Sequence, residues 1–184
     1  MNVIIMAGGR GSRLGYVEKP LVEVCGRPIL DGVISAATAM GELTLCTSRF
    51  TPNVEKSYCG SLRCVRGSGD YVSDLETALE AVRTPALVLP ADMPFIDRGI
   101  QELRRFVDLA LVSHASVITL NVCRRGRCYQ PGISIFRMPS GEWEDIHILW
   151  RAAFMDVDHP GDLEEARGYC GIMEEGKQER STSV

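Results

Sequence analysis

The sequence contains no run of about 18 apolar residues, which is the length that a membrane-spanning helix requires. It also lacks the excess of positive charge that a dedicated nucleic-acid-binding domain usually carries, since its formal net charge is −4. The apolar run over residues 3–7 has no basic lead-in and is too short for a signal peptide. We therefore expect a cytoplasmic protein that binds small molecules, with no nucleic acid and no membrane among its partners.

Cysteine pairs at the usual zinc-binding spacing are also missing. The seven cysteines include no C-x-x-C pair, and the three histidines are scattered along the chain. Cys59 and Cys64, like Cys123 and Cys128, are separated by four residues and not by the two of the C-x-x-C zinc motifs. The sequence therefore predicts no metal cluster of histidines and cysteines, and we expect the cysteines to be buried, reduced thiols.

The length and composition are typical of one globular domain. The chain has 184 residues, of which 45% are hydrophobic and 24% are charged, and a chain of this size can bury a sizeable core. The last residues are polar and have no apolar periodicity. We therefore expect a single domain over residues 1–172 and a disordered tail over residues 173–184.

Short apolar runs alternate with segments of helical periodicity over most of the chain. The predicted strands cover residues 2–6, 43–47, 62–65, 86–89, 116–122, 132–136 and 153–157. The predicted helices cover residues 28–40, 72–82, 96–107 and 160–169. Fully apolar strands between helices indicate a three-layer α/β fold with a mostly parallel, doubly wound sheet. A ligand should then bind at the carboxyl ends of the strands.

A glycine-rich, basic segment follows the first strand. It runs Met-Ala-Gly-Gly-Arg-Gly-Ser-Arg-Leu-Gly over residues 6–15, and a Lys-Pro pair follows shortly after it. Glycines let backbone N–H groups approach an oxygen-rich ligand, and nearby cations neutralise a polyphosphate. The spacing matches neither the dinucleotide-binding fingerprint nor the P-loop. The segment therefore predicts a cradle for a nucleoside triphosphate. Its glycines are Gly8, Gly9 and Gly11, and its cations are Arg10, Arg13 and Lys19.

The same residues resemble the signature loop of the nucleotidyltransferases of the NTP-transferase superfamily, which includes the MobA molybdenum cofactor guanylyltransferase. Within it the sequence is more similar to the CobY type, the GTP:adenosylcobinamide-phosphate guanylyltransferases. The similar segments are residues 6–15, 18–21, 25–31, 68–75, 90–94, 130–134 and 154–163.

The resemblance implies a Rossmann-like nucleotidyltransferase fold. It also implies transfer of GMP from the substrate GTP to a corrinoid phosphate, adenosylcobinamide phosphate, with release of pyrophosphate. Lys19, Arg13 and Asp92 are the implied catalytic residues. The residues implied to hold GTP in the loop are Ala7, Gly8, Gly9, Arg10, Gly11, Ser12, Arg13 and Lys19.

Carboxylates follow two of the predicted strands. Asp92 comes just after an apolar strand and would repel a phosphate there unless a cation lay between them, so we expect it to bind Mg²⁺. Asp156 and Asp158 end the last predicted strand, where alternation puts both on one face. The resemblance implies a second metal ligand at Asp158, where the family usually has Asn. Capping of the following helix is the alternative for Asp158, so the need for Mg²⁺ stays open.

The resemblance places the guanine or its phosphates near residues 68–75. Asp70 can accept two hydrogen bonds from guanine that adenine cannot donate, and Ser68 lies beside it in sequence. Capping of the following helix explains both residues equally well. Thr47 and Ser48, at the end of the second strand, are weaker candidates for a base contact.

An apolar stripe at helical spacing predicts a further helix. It consists of Trp143, Ile146, Leu149 and Trp150. We expect this stripe to pack in the core or in a homodimer, and a surface for the corrin ring is the alternative.

Three other functions are compatible with the motifs. A MobA-like enzyme shares the phosphate loop and the D-x-P loop. A sugar-1-phosphate nucleotidylyltransferase usually has a longer chain. A non-catalytic nucleotide-binding protein of the same fold could lose Lys19 or Asp92, and both are present here.

Overall fold

The computed structural model describes the backbone of residues 1–181 and the side chains of residues 1–171, and residues 182–184 lie outside the described part. The strands are β1 (Asn2–Met6), β2 (Glu23–Val24), β3 (Arg27–Pro28), β4 (Glu42–Ser48), β5 (Arg63–Gly67), β6 (Ala86–Pro90), β7 (Val117–Arg124), β8 (Arg127–Tyr129), β9 (Ser134–Phe136) and β10 (Trp143–Leu149). The α-helices are α1 (Ile29–Met40), α2 (Pro52–Tyr58), α3 (Tyr71–Glu80), α4 (Ile100–Val112) and α5 (Pro160–Ser181). Short 3₁₀ helices cover Ser12–Leu14, Lys19–Leu21, Ile96–Arg98 and Ala152–Phe154.

Eight strands form one sheet in the order β10-β7-β9-β6-β1-β4-β5, with β8 paired to β7. Strands β8 and β9 run antiparallel to their neighbours, and the other pairs of this sheet are parallel. Strands β2 and β3 form a separate hairpin. The mostly parallel α/β sheet predicted from the sequence is therefore confirmed.

Strand β1 is the centre of this arrangement. Val3, Ile4 and Ile5 are fully buried, as expected for an inner strand that is covered on both faces. At the end of β1, Met6 pairs with Cys46 of β4 on one side and with Pro90 of β6 on the other. The carboxyl ends of three strands therefore lie side by side at one edge of the sheet.

The helices are divided unequally between the two faces of the sheet. Buried residues of α1, α2, α4 and α5 share one hydrophobic cluster with Val3 and Ile5 of β1. Buried residues of α3 share a second cluster with Ile4 of β1 and Val88 of β6. Helix α3 contacts β1, β4 and β5, so it lies over the half of the sheet that contains the amino-terminal strands.

Two elements predicted from apolar patterns were wrong. Residues 153–157 form no strand, because Ala152–Phe154 is a 3₁₀ helix and the buried run that follows packs into the core without pairing. A short apolar run has no periodicity that separates a strand from a buried loop. The stripe predicted as helical is β10, where Trp143 and Leu149 are exposed and Ile146 and Ile148 pack inward.

Several boundaries also differ from the predictions. The helix predicted over residues 96–107 is divided at Gly99 into the 3₁₀ helix Ile96–Arg98 and α4. Residues 173–181 continue helix α5, where the sequence predicted a disordered tail, and residues 182–184 lie outside the described part. The sequence analysis missed α2, β2, β3 and β8, which are short. Among the described residues, no helix has the length and apolar character needed to cross a membrane.

The expectation of seven reduced cysteines was wrong for six of them. The disulfides join Cys25 to Cys170, Cys59 to Cys64, and Cys123 to Cys128. Cys46 is a free, buried thiol, and burial raises its pKa to about 12. The pairings depend on which strands and helices meet, and cysteine spacing alone does not supply that information.

The disulfide from Cys25 to Cys170 should contribute most to stability, because it closes a loop of 145 residues whereas Cys59–Cys64 closes one of 5. In the chain-entropy model the longer loop is worth about 3 kcal/mol more. We expect the Cys25→Ala/Cys170→Ala variant to lose more unfolding free energy in urea than the matched Cys59→Ala/Cys64→Ala variant. Equal losses would contradict this expectation.

Candidate active site

The loop that follows β1 has two positions that favour glycine. Gly11 has a φ of +61°, and a Cβ there would lie 1.9 Å from the carbonyl oxygen of Val17. A Cβ on Gly8 would lie 3.0 Å from the Cβ of Ser48 and 3.2 Å from Oδ2 of Asp74. Open space surrounds the corresponding position of Gly9. The loop therefore packs closely against neighbouring residues at Gly8 and Gly11, and it leaves open space at Gly9.

The start of this loop is attached to the end of β4. The Ala7 amide donates a hydrogen bond to the Cys46 carbonyl at 2.8 Å. The Ser48 hydroxyl donates to the Gly8 carbonyl at 2.6 Å and accepts from the Phe50 amide at 3.1 Å. Ser48, which the sequence analysis named with Thr47 as a weaker candidate for a base contact, is fully buried. These bonds fix the direction in which the loop leaves the sheet.

A pocket of about 200 Å³ opens beside the loop at the carboxyl ends of β1 and β6. This is the edge of the sheet at which the sequence analysis expected a ligand. The pocket is smaller than the roughly 300 Å³ of typical small-molecule sites, so a larger ligand would extend out of it. Its lining consists of Met6, Ala7, Gly8, Gly9, Lys19, Pro20, Gly69, Tyr71, Asp74, Pro90, Ala91 and Asp92.

Lys19 joins the pocket to two carboxylates from distant parts of the chain. Its Nζ donates to Oδ2 of Asp92 at 3.1 Å and to Oδ1 of Asp158 at 2.5 Å. It also donates to the Val157 carbonyl at 3.2 Å. Arg13 donates from Nη1 to Oδ2 of Asp158 at 2.7 Å. The structure therefore brings together the predicted catalytic residues and both predicted metal ligands.

The pKa shifts in this cluster follow from burial and from the alternation of charges. Burial opposes the charged form of Lys19, but Asp92 and Asp158 outweigh it, so the pKa of Lys19 is raised. Burial raises the pKa of Asp92, although Lys19 opposes the shift. For Asp158, hydrogen bonding and charge from Lys19, together with Arg13, outweigh burial, and its pKa is lowered. Lys19 is therefore protonated and positively charged at neutral pH, and Asp158 is ionised and negatively charged.

The donor set of this cluster fits a divalent cation. Oxygens of Asp92 and Asp158 converge on one positive centre, the Lys19 ammonium. Carboxylate oxygens are the protein ligands that Mg²⁺ prefers. Asp156 is half-buried, and burial raises its pKa. It does not share a strand with Asp158, because the predicted strand is absent.

The alternative role for Asp158, helix capping, is performed by another residue. The amides of Asp158 and His159 both donate to Oδ2 of Asp162, at 3.0 and 2.7 Å. Asp162 lies in the first turn of α5, so its carboxylate satisfies amides that precede that helix. The side chain of Asp158 is therefore available for Lys19 and Arg13.

At the start of α3, the structure separates a capping carboxylate from a buried one. Asp70 is the N-cap, and its Oδ1 accepts from the Ser73 amide at 3.0 Å. Asp74 is 3% exposed, lines the pocket, and accepts from the amides of Ser68 at 2.5 Å and Gly69 at 3.0 Å. The Ser68 hydroxyl also donates to Asp74, at 3.1 Å. The sequence analysis missed Asp74, although it lies four residues before the buried Ala78 of α3 and so falls on the inner face of the helix.

The predicted binding residues that lie outside the lining of the pocket are Arg10, Gly11, Ser12, Arg13, Thr47, Ser48, Ser68 and Asp70. The guanidinium of Arg10 stacks over the Phe50 ring at 4.6 Å, and Ser12 is exposed in the 3₁₀ helix Ser12–Leu14. Thr47 is fully buried, and its hydroxyl has no hydrogen-bond partner. Nucleotide contacts by these residues stay predictions.

The chain matches the family model of the MobA-like NTP transferase domain over residues 3–146. It therefore belongs to this family of nucleotidyltransferases, and the resemblance seen in the motifs is confirmed. The match places β1, the glycine-rich loop, Lys19 and Asp92 inside the family domain. Asp158 and α5 lie beyond it.

Two curated relatives are similar to this chain in sequence. The adenosylcobinamide-phosphate guanylyltransferase of Methanocaldococcus jannaschii is 32% identical over 102 residues, which is 50% of this chain and 52% of that protein. The match thus spans about half the length of that relative. The molybdenum cofactor guanylyltransferase of Ectopseudomonas mendocina is 26% identical over 159 residues, which is 82% of this chain and 72% of that protein.

Solved structures support the fold. The molybdopterin-guanine dinucleotide biosynthesis protein A of Archaeoglobus fulgidus superposes with a TM-score of 0.67 at 16% identity, covering 94% of this chain and 100% of that one. Identity this low is informative about the fold alone. The Rossmann-like nucleotidyltransferase architecture expected from the resemblance is confirmed.

The two carboxylates of α3 should contribute differently to stability. Asp74→Ala would leave the amides of Ser68 and Gly69 without their buried acceptor, at a cost of about 2–4 kcal/mol. Asp70→Ala, the matched control on the same helix, removes an exposed N-cap and should cost about 1 kcal/mol. Urea unfolding of both variants measures the difference. A smaller loss for Asp74→Ala than for Asp70→Ala would be incompatible with the hydrogen bonds described.

Proposed function

We propose that this chain transfers GMP from GTP to the phosphate of adenosylcobinamide phosphate and releases pyrophosphate. The observation that carries the nucleotidyl transfer is the convergence of the glycine-rich loop, Lys19 and Asp92 on one pocket. The choice of guanine is supported by the names of the two relatives described above, which are guanylyltransferases. The choice of the corrinoid acceptor is supported by the relative that is 32% identical over half of this chain.

The chemistry needs charge neutralisation more than it needs a nucleophile from the protein. An oxygen of the acceptor phosphate attacks the α-phosphorus of GTP, and the bond from that phosphorus to pyrophosphate breaks. The attacking oxygen is already anionic, so no covalent intermediate or general base is required. Catalysis then consists of alignment and of stabilising the developing negative charge. Lys19 and Arg13 supply fixed positive charge for this purpose.

A cation shared by Asp92 and Asp158 would extend this neutralisation. When bound, Mg²⁺ would supply a Lewis acid for the oxygens of the α-phosphate. The ion pair between Arg13 and Asp158 keeps the Arg13 guanidinium beside the carboxylates that would hold this cation. Because the raised pKa of Lys19 keeps it protonated, its role is electrostatic rather than that of a base.

The acceptor would lie beside the exposed apolar side chains of β10, on the same face of the sheet as α3. Directly paired residues of parallel strands share a face, and Trp143 of β10 pairs with Val117, which belongs to the same cluster as Val88. The pocket opens on this side, since Tyr71 of α3 lines it. Leu149, which pairs with Cys123 near the carboxyl end of β7, is 82% exposed, whereas Trp143, which is 59% exposed, pairs with Val117 at the amino end of β7. Such exposed apolar groups suit a large, flat ligand like a corrin ring, and they suit a homodimer contact equally well.

Sedimentation and kinetics together separate the two uses of β10. If the exposed face binds the acceptor, Leu149→Ser should raise the KM for the acceptor about 10-fold or more while the molecular mass stays unchanged, because Leu149 lies at the carboxyl end of β10. The matched change Val112→Ser removes an exposed apolar group at the end of α4. A fall in mass from dimer to monomer in Leu149→Ser would instead assign this face to a homodimer.

The base preference can be tested without any acceptor. We expect GTP to bind at least about 10-fold more tightly than ATP, CTP or UTP, because two hydrogen bonds from guanine to a carboxylate are worth more than 1 kcal/mol. Isothermal titration with each nucleotide measures this preference. Asp70→Ala should abolish it if Asp70 reads the base. Equal affinities for GTP and ATP in the unaltered protein would contradict the proposal.

The reaction itself is tested by pyrophosphate release from GTP with each acceptor in turn. We expect turnover with adenosylcobinamide phosphate, and a loss of about 10²- to 10³-fold in Lys19→Ala, because Lys19 stabilises developing charge. Lys56→Ala, which removes an exposed lysine of α2, is the matched control and should retain normal turnover. A near-normal rate in Lys19→Ala would remove that residue from the mechanism.

A MobA-like function is the second candidate. It is supported by the molybdenum cofactor guanylyltransferase that matches 82% of this chain, which is more than the corrinoid relative covers. The same assay decides between them, since molybdopterin would then replace adenosylcobinamide phosphate as the productive acceptor. GTP binding without turnover on either acceptor would favour a non-catalytic nucleotide-binding protein.

A further inference from the structure

Two cysteines and a histidine meet at the β10 edge of the sheet. Cys123 of β7 and Cys128 of β8 are paired directly across their hairpin and form a disulfide. His147 of β10 places Nδ1 3.7 Å from Sγ of Cys123. One ligand-capable atom from each of the three residues lies within 4.8 Å of the others. None of these residues belongs to the lining of the pocket described above.

We infer that Cys123, Cys128 and His147 form a Zn²⁺ site when the disulfide between the two cysteines is reduced. Thiolate sulfur and imidazole nitrogen are the donors that Zn²⁺ prefers, at about 2.3 Å and 2.0–2.1 Å. Tetrahedral geometry at these lengths puts sulfur and nitrogen about 3.5 Å apart. The separation of 3.7 Å between Cys123 and His147 is close to this value. Three protein ligands leave the fourth position for water or another donor.

The surroundings of the cluster allow an ion to enter. Cys128 and His147 are exposed and Cys123 is half-buried. The guanidinium of the neighbouring Arg124 stacks over the ring of Trp150 at 4.1 Å and lies 3.9 Å from a carboxylate oxygen of Glu165. The positive charge of Arg124 is therefore already paired with the Trp150 ring and the Glu165 carboxylate. Binding requires side-chain movement of the two cysteines, because two sulfurs joined in a disulfide cannot each bind the ion as a thiolate.

Redox state controls this site. A dithiol reductant cleaves the Cys123–Cys128 bond, giving two protein thiols and an oxidised, cyclic disulfide of the reductant. Each thiol then loses one proton to solvent as its sulfur binds Zn²⁺, so that two protons are released for each ion bound. The disulfide form has no thiolate to offer. Metal binding and disulfide formation therefore exclude each other.

The chain contains its own control for this inference. Cys59 and Cys64 have the same spacing and also form a disulfide. Among the residues whose side chains the structure describes, no group of three metal-binding residues forms around that pair. The difference is His147, which is 24 residues away from Cys123 in sequence. This separation is why the sequence analysis, which expected no metal cluster, missed the site.

The experiment uses the full chain, reduced with dithiothreitol and desalted under nitrogen, and titrated with Co²⁺ as a spectroscopic substitute for Zn²⁺. We expect one tetrahedral Co²⁺ per chain, with thiolate-to-cobalt charge-transfer bands that Zn²⁺ removes by displacement. His147→Ala and Cys128→Ser should each weaken binding by at least about 100-fold, since loss of even an outer-shell partner can cost that much. The Cys59→Ser/Cys64→Ser variant should bind normally. Circular dichroism confirms that each variant is folded.

Four results would overturn the inference. They are the absence of thiolate-to-cobalt bands in the reduced protein, unchanged affinity in His147→Ala, loss of binding in the Cys59→Ser/Cys64→Ser control, and equally tight binding by the oxidised protein. The readout is metal binding and not turnover. A failure here would therefore leave the proposed nucleotidyl transfer intact, and failure of that proposal would not affect this site.

Discussion

The ammonium of Lys19 between two carboxylates is the interaction on which the rest of the site depends. Asp92 is 73 residues away from Lys19 in sequence and Asp158 is 139 residues away. Without the cation, two carboxylates this close would repel each other and one would take up a proton. The ion pairs therefore hold the glycine-rich loop, the end of β6 and the segment before α5 at one edge of the sheet. A polyphosphate bound there would meet positive charge that is already in position.

The sheet places this cluster at the carboxyl ends of its strands, beside the pocket. Four helices pack on one face, and α3 alone covers the amino-terminal half of the other. The nucleotide proposal uses the half beneath α3, where Asp74 and the amides around it line the pocket. The acceptor proposal uses the remaining half, which continues to the exposed side chains of β10. The Zn²⁺ site lies at the far edge of that half, so one fold carries two chemically separate sites.

The sequence predicted the elements in which local pattern and tertiary environment agree. Strand β1 is apolar throughout because both of its faces are covered. The loop after it needs glycine because Gly11 has a positive φ and lies against Val17. Prediction failed where an apolar pattern had two structural solutions. The spacing of Trp143 and Leu149 fits a helix, but β10 exposes both of them on one face of a strand.

The sequence by itself determined the α/β class and the glycine-rich loop, and it predicted Lys19 and Asp92 as site residues, because charge and glycine content are local properties of the chain. Only the tertiary structure decided which side chains come into contact with one another. It paired Asp158 with Lys19 and gave the capping role to Asp162. It also buried Asp74 among amides and brought His147 to Cys123. These contacts join residues on different strands and loops, and local sequence patterns contain no information about such distances.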